Sequence, residues 1–267
     1  MNIALYTRYL SPAFHDELSA LTSALHRRGI ETVEIDAKKQ PDLLFSIGGD
    51  GTLLSAVHLI AGRPIPVVGI NFGHLGFLTT AGRDDFDQLV DDLLEGRYTV
   101  EPRTLLHVEV NSGQPSVLQT SSSALNEVSL HRIDDTNLLR TDLYVDGDFV
   151  ASYDGDGLLV ATPTGSTAYS LSCGGPVLTP NCGCFVVTPI AVHNLSLRPI
   201  IVPDSATLRL VTAPESGANL GTDSRHLTLS GGSEIILTRE PFTVSLVRLR
   251  NQSFFSAIQQ KLSWGGR

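Results

Sequence analysis

Five consecutive residues, Gly48-Gly49-Asp50-Gly51-Thr52, combine what an anion site needs with what such a site should avoid. Glycines let the backbone approach a ligand closely and turn its N–H groups toward phosphate oxygens. A helix starting directly after them adds its positive end. Phosphate contacts are therefore expected from Gly48, Gly49, Gly51 and Thr52, yet a carboxylate in the middle of that loop repels an anion. A catalytic base, or a carboxylate acting through Mg²⁺, resolves the conflict. The alternative is a tight turn in which Asp50 only caps the following helix.

Two further groups carry polar chemistry. The segment Asp156 to Ser172 runs from an apolar stretch into a loop dense with hydroxyls and glycines, able to hydrogen-bond a polar ligand, with Tyr169 available to pack on a ring. Its alternative is a hydroxyl-rich turn that caps a short helix. Asn126-Glu127 interrupts the strand-like stretch from Ala124 to Leu130, and a carboxylate accepts well from the paired hydroxyls of a ribose. Exposed strand residues would look the same. Gly69 to Phe77 also follows a strand-like run, lacks the GxGxxG spacing of a dinucleotide fingerprint, and is suited to shape one wall of a cleft. Within it, His74 reads as a packing histidine.

These residues need a scaffold that puts loops at strand ends. Apolar runs at Ile3 to Tyr6, Thr32 to Ile35, Leu43 to Ile47 and Pro66 to Ile70 alternate with helical patterns. The helices fall at Ser11 to Arg28, after the glycine run as far as Gly62, and from Asp84 to Glu95. This order predicts a parallel sheet whose ligands bind beyond the carboxyl ends of its strands. From about Arg103 the period changes to two, as in Leu106, Val108 and Val110, with Asp146-Gly147 as a hairpin turn. Leu208 to Leu210, Leu227 to Leu229 and Ile235 to Leu237 continue the β-rich part, and Phe254, Phe255, Ile258 and Leu262 have helical spacing.

Composition removes several classes of function. A net charge of −9, with no block of basic residues, argues against a nucleic-acid partner. No apolar run approaches the roughly 20 residues that a membrane helix needs, and the first residues lack the layout of a secretion signal. A cytoplasmic protein with no membrane partner is expected. The cysteines, Cys173, Cys182 and Cys184, form neither a disulfide framework nor a zinc pattern and read as reduced thiols. The lysines, Lys38, Lys39 and Lys261, lie outside the glycine loop, so phosphate must be met by backbone amides, arginines or a metal ion.

The glycine-rich aspartate motif resembles that of the NAD kinase family. The likeness extends through Gly73-His74-Leu75-Gly76-Phe77, through Asp156 to Ser172 running on into Cys173-Gly174-Gly175-Pro176, and through His193-Asn194-Leu195-Ser196-Leu197-Arg198-Pro199, as far as Leu262-Ser263-Trp264-Gly265. The GGDGT run also occurs in lipid kinases and has a relative in phosphofructokinases; the Asp156 segment is far more specific.

This resemblance implies an α/β N-terminal domain with a parallel sheet over 1–103 and an all-β sandwich domain over 104–250, with 251–267 returning to the first. It implies transfer of the terminal phosphoryl of ATP, with Mg²⁺ or another divalent cation, to the 2′-hydroxyl of the adenosine ribose of NAD. Asp50 would deprotonate that hydroxyl, with Gly51 against the phosphates. Asn126 and Glu127 would hold the adenosine part, and Asp156 would contact the nicotinamide end. Thr167, Ala168, Tyr169, Ser170, Leu171 and Ser172 would line the dinucleotide site, and Ala191 would offer a backbone contact. A homodimer or homotetramer is implied, with residues near Asp223 reaching a neighbouring subunit's site. Two positions depart from the pattern: Asp154 where the family often has a basic residue, and Ser55 where some members carry a longer polar or basic one. A lipid or sugar kinase is the competing enzyme, and a non-catalytic dinucleotide sensor the competing binder.

Overall fold

The computed structural model describes residues 1–8, 12–35, 40–60, 62–73, 76–82, 86–111, 120–134, 137–249 and 253–265. His74, Lys38 and Lys39, singled out above, lie outside the described residues. The chain runs β1 (Asn2–Tyr6), α1 (His15–Arg27), β2 (Glu31–Val33), β3 (Leu43–Ile47), α2 (Asp50–Ile60), β4 (Val67–Ile70), α3 (Phe86–Leu94) and β5 (Tyr98–Asn111). Strands then dominate, with β6 (Thr120–Ala124), β7 (Glu127–Arg132), β8 (Leu139–Val145), β9 (Asp148–Gly155) and β10 (Gly157–Ala161) leading into the short helix α4 (Tyr169–Ser172). The rest comprises β11 (Cys184–Ile190), β12 (Ile200–Pro203), β13 (Leu208–Thr212), β14 (Ala218–Thr222), β15 (Arg225–Leu229), β16 (Glu234–Leu249) and α5 (Phe254–Leu262).

Two compact units result, Met1–Arg103 with Val244–Arg267, and Thr104–Thr243. The first unit holds the expected parallel sheet in the order β2-β1-β3-β4, joined beyond β4 by the last residues of β16, where Leu246 pairs with Val67. Every residue of β3 and β4 is buried, as for strands with both faces covered. Leu21, Ala24 and Leu25 of α1 and Phe86, Leu89, Val90 and Leu93 of α3 join Phe45, Ile47, Val68, Ile70 and Val247 in its core. Helical periodicity puts those residues on one stripe of each helix. The chain re-enters this unit inside β16, ahead of the boundary at 250 read from the sequence, because the strand continues without a break.

The second unit is an antiparallel sandwich. One sheet runs β16-β13-β8-β9 and the other β12-β11-β10-β7-β14-β15. Alternate residues from both meet in one core, including Val108, Leu143, Leu210 and Leu237 from the first side and Val128, Leu130, Leu158, Val160 and Phe185 from the second. Because side chains alternate along a strand, burying Val128 and Leu130 sends Glu127, Ser129 and His131 to the opposite, outer face of β7. The Asp146-Gly147 turn joins β8 and β9 with φ of 51° and 91°, the left-handed pair that a two-residue hairpin needs. All three cysteines are free thiols. Among the described residues no helix is long and apolar enough to cross a membrane.

Candidate active site

In the first unit the buried strand β3 ends at Ile47 and the glycine run leads directly into α2, whose first residue is Asp50. Asp50 does not cap its own helix. Its carboxylate reaches 27 residues along the chain, accepting the Phe77 N–H on Oδ2 at 2.9 Å and the Leu78 N–H on Oδ1 at 3.1 Å. The first α2 amides are met by backbone instead, Thr52 and Leu53 both donating to the Gly49 carbonyl at 2.9 and 3.3 Å. Gly76 permits this arrangement. A Cβ there would sit 2.5 Å from Asp50 Cγ and 2.8 Å from Oδ2, so only glycine lets the loop lie against the carboxylate.

The four amides expected to hold phosphate divide in two. Gly48 N–H donates to Ile70 O at 2.8 Å and Thr52 N–H is bound to Gly49, so both are used within the fold. Gly49 and Gly51 are exposed, and their N–H groups have no partner among the described residues. They stand at the N-terminal end of an eleven-residue helix, where an anion is favoured. Asn71 lies beside them, its Nδ2 3.9 Å from where a Gly49 Cβ would be, while its Oδ1 accepts Gly73 N–H at 3.0 Å. The departure at Ser55 is absorbed locally: its hydroxyl donates to Gly51 O at 3.2 Å.

In the second unit Asn126 bridges the end of β6 and the start of β7, so the interruption seen in the sequence is a real break between strands. Asp223, in the β14–β15 turn at φ 49°, fastens this junction: its carboxylate accepts the N–H groups of Leu125 at 2.8 Å, Asn126 at 2.9 Å and Glu127 at 3.2 Å. Burial raises its proton affinity, against the opposing pull of those three donors. Burial, and then the Asp223 charge, push the Glu127 carboxyl up to about 7, opposed by the Tyr169 N–H. Glu127 Oε2 is buried without a hydrogen-bond partner. The Asp223 carboxylate is thus held by three backbone donors of its own unit.

The Asp156 to Ser172 segment packs directly on this junction. Thr162 N–H donates to Asn126 O at 2.9 Å and the Thr162 hydroxyl donates to Leu125 O at 2.5 Å. A Cβ on Gly165 would lie 2.7 Å from Asn126 Cα. Many hydroxyls of the loop serve the fold. Ser166 bridges to Pro163 O and Leu178 N–H, and Ser170, fully buried, pairs with Thr188 at 2.9 Å. Thr167 donates to Thr164 O at 3.3 Å. Accessible surface is left at Thr167, Ala168, Tyr169, Leu171 and Ser172. The Tyr169 ring stacks on His131, centroids 5.7 Å apart at 23°. Asp156 pairs with Arg132 at 2.9 Å and exerts its charge on both His131 and Tyr169. Ala191 stands exposed just past β11 at φ 45°, its carbonyl close against Gly155. At the other departure, Asp154 offers its carbonyl to His193 N–H at 2.8 Å.

Each unit therefore gathers one cluster: Asp50 with Gly49, Gly51, Asn71, Phe77 and Leu78 in the first, Asn126 and Glu127 with His131, Asp156, Tyr169 and Asp223 in the second. Asp223's capping role and the Phe77 and Leu78 amides are additions to the residues expected from sequence. The prior signs were the glycine-rich segment ending at Phe77 and, through the family resemblance, the residues near Asp223. Among the described residues no group of three or more His, Cys, Asp or Glu converges to hold a metal. The loop amides offer hydrogens, which suit phosphate oxygens rather than a cation.

Comparison with known proteins covers both clusters. The model of the ATP-NAD kinase N-terminal domain matches residues 12–98 and that of the ATP-NAD kinase C-terminal domain residues 125–249. The NAD kinase of Christiangramia forsetii is 41% identical over 225 residues, covering 84% of this chain and 76% of that protein. The NAD kinase of Shewanella piezotolerans is 38% identical over 245 residues, covering 91% and 78%. An NAD kinase from Archaeoglobus fulgidus, solved in complex with ATP, superposes with a TM-score of 0.80 at 27% identity, covering 98% of this chain and 99% of that one. Yeast NADH kinase complexed with NADH shares the fold, with a TM-score of 0.90 at 24% identity, covering 100% and 89%.

Proposed function

The chain belongs to the NAD kinase family, and on that premise we propose how its residues divide the work of the reaction. The reaction moves the terminal phosphoryl of ATP to the 2′-hydroxyl of the adenosine ribose of NAD, giving NADP and ADP. Asp50 is the general base. It takes the hydroxyl proton as the ribose oxygen forms its bond to the terminal phosphorus and the bond from phosphorus to the leaving ADP oxygen breaks in line. The observation that carries this reading is the fixed carboxylate: two backbone N–H groups hold Asp50 beside the unpartnered Gly49 and Gly51 amides. A carboxylate has about four lone-pair directions, so two remain for the substrate proton. Gly49 and Gly51 donate to phosphate oxygens and stabilise charge that develops there.

Asn126 and Glu127 hold the adenosine part of NAD, Asp156 contacts the nicotinamide end, and Tyr169 with Thr167, Ala168, Leu171 and Ser172 lines the dinucleotide. Ser170 supports that wall from behind, and Ala191 contributes backbone. Mg²⁺ or another divalent cation would enter with ATP and would supply positive charge that neutralises part of the charge on its phosphates. The protein works in the cytoplasm as a homodimer or homotetramer.

The test is turnover of NAD with ATP and Mg²⁺, followed as NADP, in the native chain and in Asp50→Asn. A positioned base contributes roughly 10²–10⁴-fold, so the variant should bind NAD normally and lose turnover by that order. A folded, NAD-binding Asp50→Asn protein with native turnover would remove Asp50 from the role.

A further inference from the structure

We propose that Arg248, far from the glycine loop in sequence, is a positioning residue that fixes the Asp50 carboxylate through the peptide unit between Phe77 and Leu78. The inference rests on the reading of Asp50 as the base. The Arg248 Nη2 donates to Phe77 O at 3.0 Å, and the N–H at the other end of that same peptide unit, on Leu78, donates to Asp50 Oδ1 at 3.1 Å. A trans peptide is a rigid plane whose C=O and N–H point in opposite directions. A guanidinium fastened to one end therefore sets the direction of the other, and its charge polarises the amide toward a stronger donor. The Phe77 N–H, held to Asp50 Oδ2 at 2.9 Å, gives the carboxylate its second anchor on the same residue.

The guanidinium is itself held. Arg248 Nε pairs with Glu101 Oε2 at 3.3 Å, and Arg103 pairs with the same oxygen. Arg103 is only 2% exposed, and its Nε has no hydrogen-bond partner. Burial, followed by the Arg248 charge, pushes Arg103 down to about 10. Two guanidinium groups thus share one carboxylate, an arrangement costly for a stabilising ion pair, since a buried charge without full compensation is expensive. Removing Arg248 would relieve that repulsion, so a purely structural account predicts little loss of stability. A second contact grips Phe77 from α5: Lys261 Nζ lies 5.1 Å from the centroid of its ring, within cation–π range. The last stretch of chain thereby holds both the carbonyl and the ring of the residue that anchors Asp50.

The experiment is a double-mutant cycle on the full chain, with steady-state kinetics in NAD, ATP and Mg²⁺ and thermal unfolding as the check on folding. Arg248→Met should lower kcat at least tenfold, toward the roughly 10²-fold that a misplacement of about 1 Å can cost, with the KM for NAD held within about twofold. Arg248→Lys, which can still donate to Phe77 O, should recover part of the loss. In the Asp50→Asn background, Arg248→Met should add almost nothing, because the group it positions is gone. An equal factor in both backgrounds, native kcat in Arg248→Met, or a raised KM at unchanged kcat would overturn the proposal. Failure of the base reading shows separately, as native turnover in Asp50→Asn alone. Should Arg248→Met not fold, Arg248→Gln, uncharged and too short to keep the guanidinium's place on Phe77 O but with a polar end for Glu101, is judged by the same outcomes.

Discussion

Asp223 and Glu127 are tied through the backbone in both directions: Asp223 N–H donates to Glu127 O at 3.1 Å, and Glu127 N–H donates to the Asp223 carboxylate at 3.2 Å. The same carboxylate takes Leu125 and Asn126, so one side chain sets the path of the β6–β7 junction. Asparagine tolerates the left-handed backbone at this position about as well as aspartate, so Asp223→Asn changes the acceptor without straining the turn. One amide oxygen then serves three N–H groups. The unfolding free energy, from urea titration, should fall by about 1–3 kcal/mol. The KM for NAD should rise with it.

Glu127 gives the protein a pH signature. Its carboxyl is pushed from an ordinary 4.5 up to about 7, first by burial and then by Asp223. Between these values the folded state holds a proton that the unfolded state has released. Stability from this group is therefore present below 4.5 and lost as pH rises through about 7, a difference on the order of 3 kcal/mol. Glu127→Gln keeps the shape and cannot ionise, so it should gain unfolding free energy over the native chain at pH 8 and lose that advantage near pH 4. If the two proteins track each other in urea titrations across that range, the carboxyl is not titrating as described.

The scaffold was legible in the sequence because its signals are local. Leu43 to Ile47 reads as a buried strand from five adjacent residues, Asp146-Gly147 as a hairpin from two, and α1 and α3 from their apolar spacing. The GGDGT run also announces itself, since a carboxylate among glycines is a local contradiction. What stayed hidden depends on distant partners. Nothing around Asp50 points to Phe77 and Leu78, and nothing around Asn126 points to Asp223, 97 residues away. The hydroxyls between Asp156 and Ser172 misled in another way: their density suggests ligand binding throughout, whereas Ser166 and Ser170 are fully buried and bonded to their own unit.

Ser170 separates these two roles within one loop. Its hydroxyl is fully buried against Thr188 at 2.9 Å, so Ser170→Ala should cost about 1 kcal/mol or slightly more in unfolding free energy and leave the KM for NAD unchanged. Tyr169→Ala, at an exposed ring stacked on His131, should do the reverse. It should raise that KM by roughly tenfold, as expected for loss of an aromatic contact of about 1 kcal/mol beyond its buried area, and barely move the melting temperature. A parallel rise in KM for Ser170→Ala would mean that the loop opens in solution and exposes the hydroxyl.

Gly76→Ala probes the Asp50 geometry without touching a polar group. A methyl at Gly76 overlaps the carboxylate itself, 2.5 Å from Cγ and 2.8 Å from Oδ2, and the Gly76 N–H is already held by the Thr79 hydroxyl at 2.5 Å. The loop therefore has little room to withdraw, and the aspartate must move. Turnover should fall by on the order of 10²-fold, the scale of a misplaced catalytic group, while NAD binding, which the proposal assigns to the other unit, should stay near native. Gly76→Ala and Asp50→Asn should also fail to add, since both remove the same positioned carboxylate. Additive losses, or native turnover in Gly76→Ala, would show that the reacting carboxylate does not occupy the place against Gly76 that it takes here.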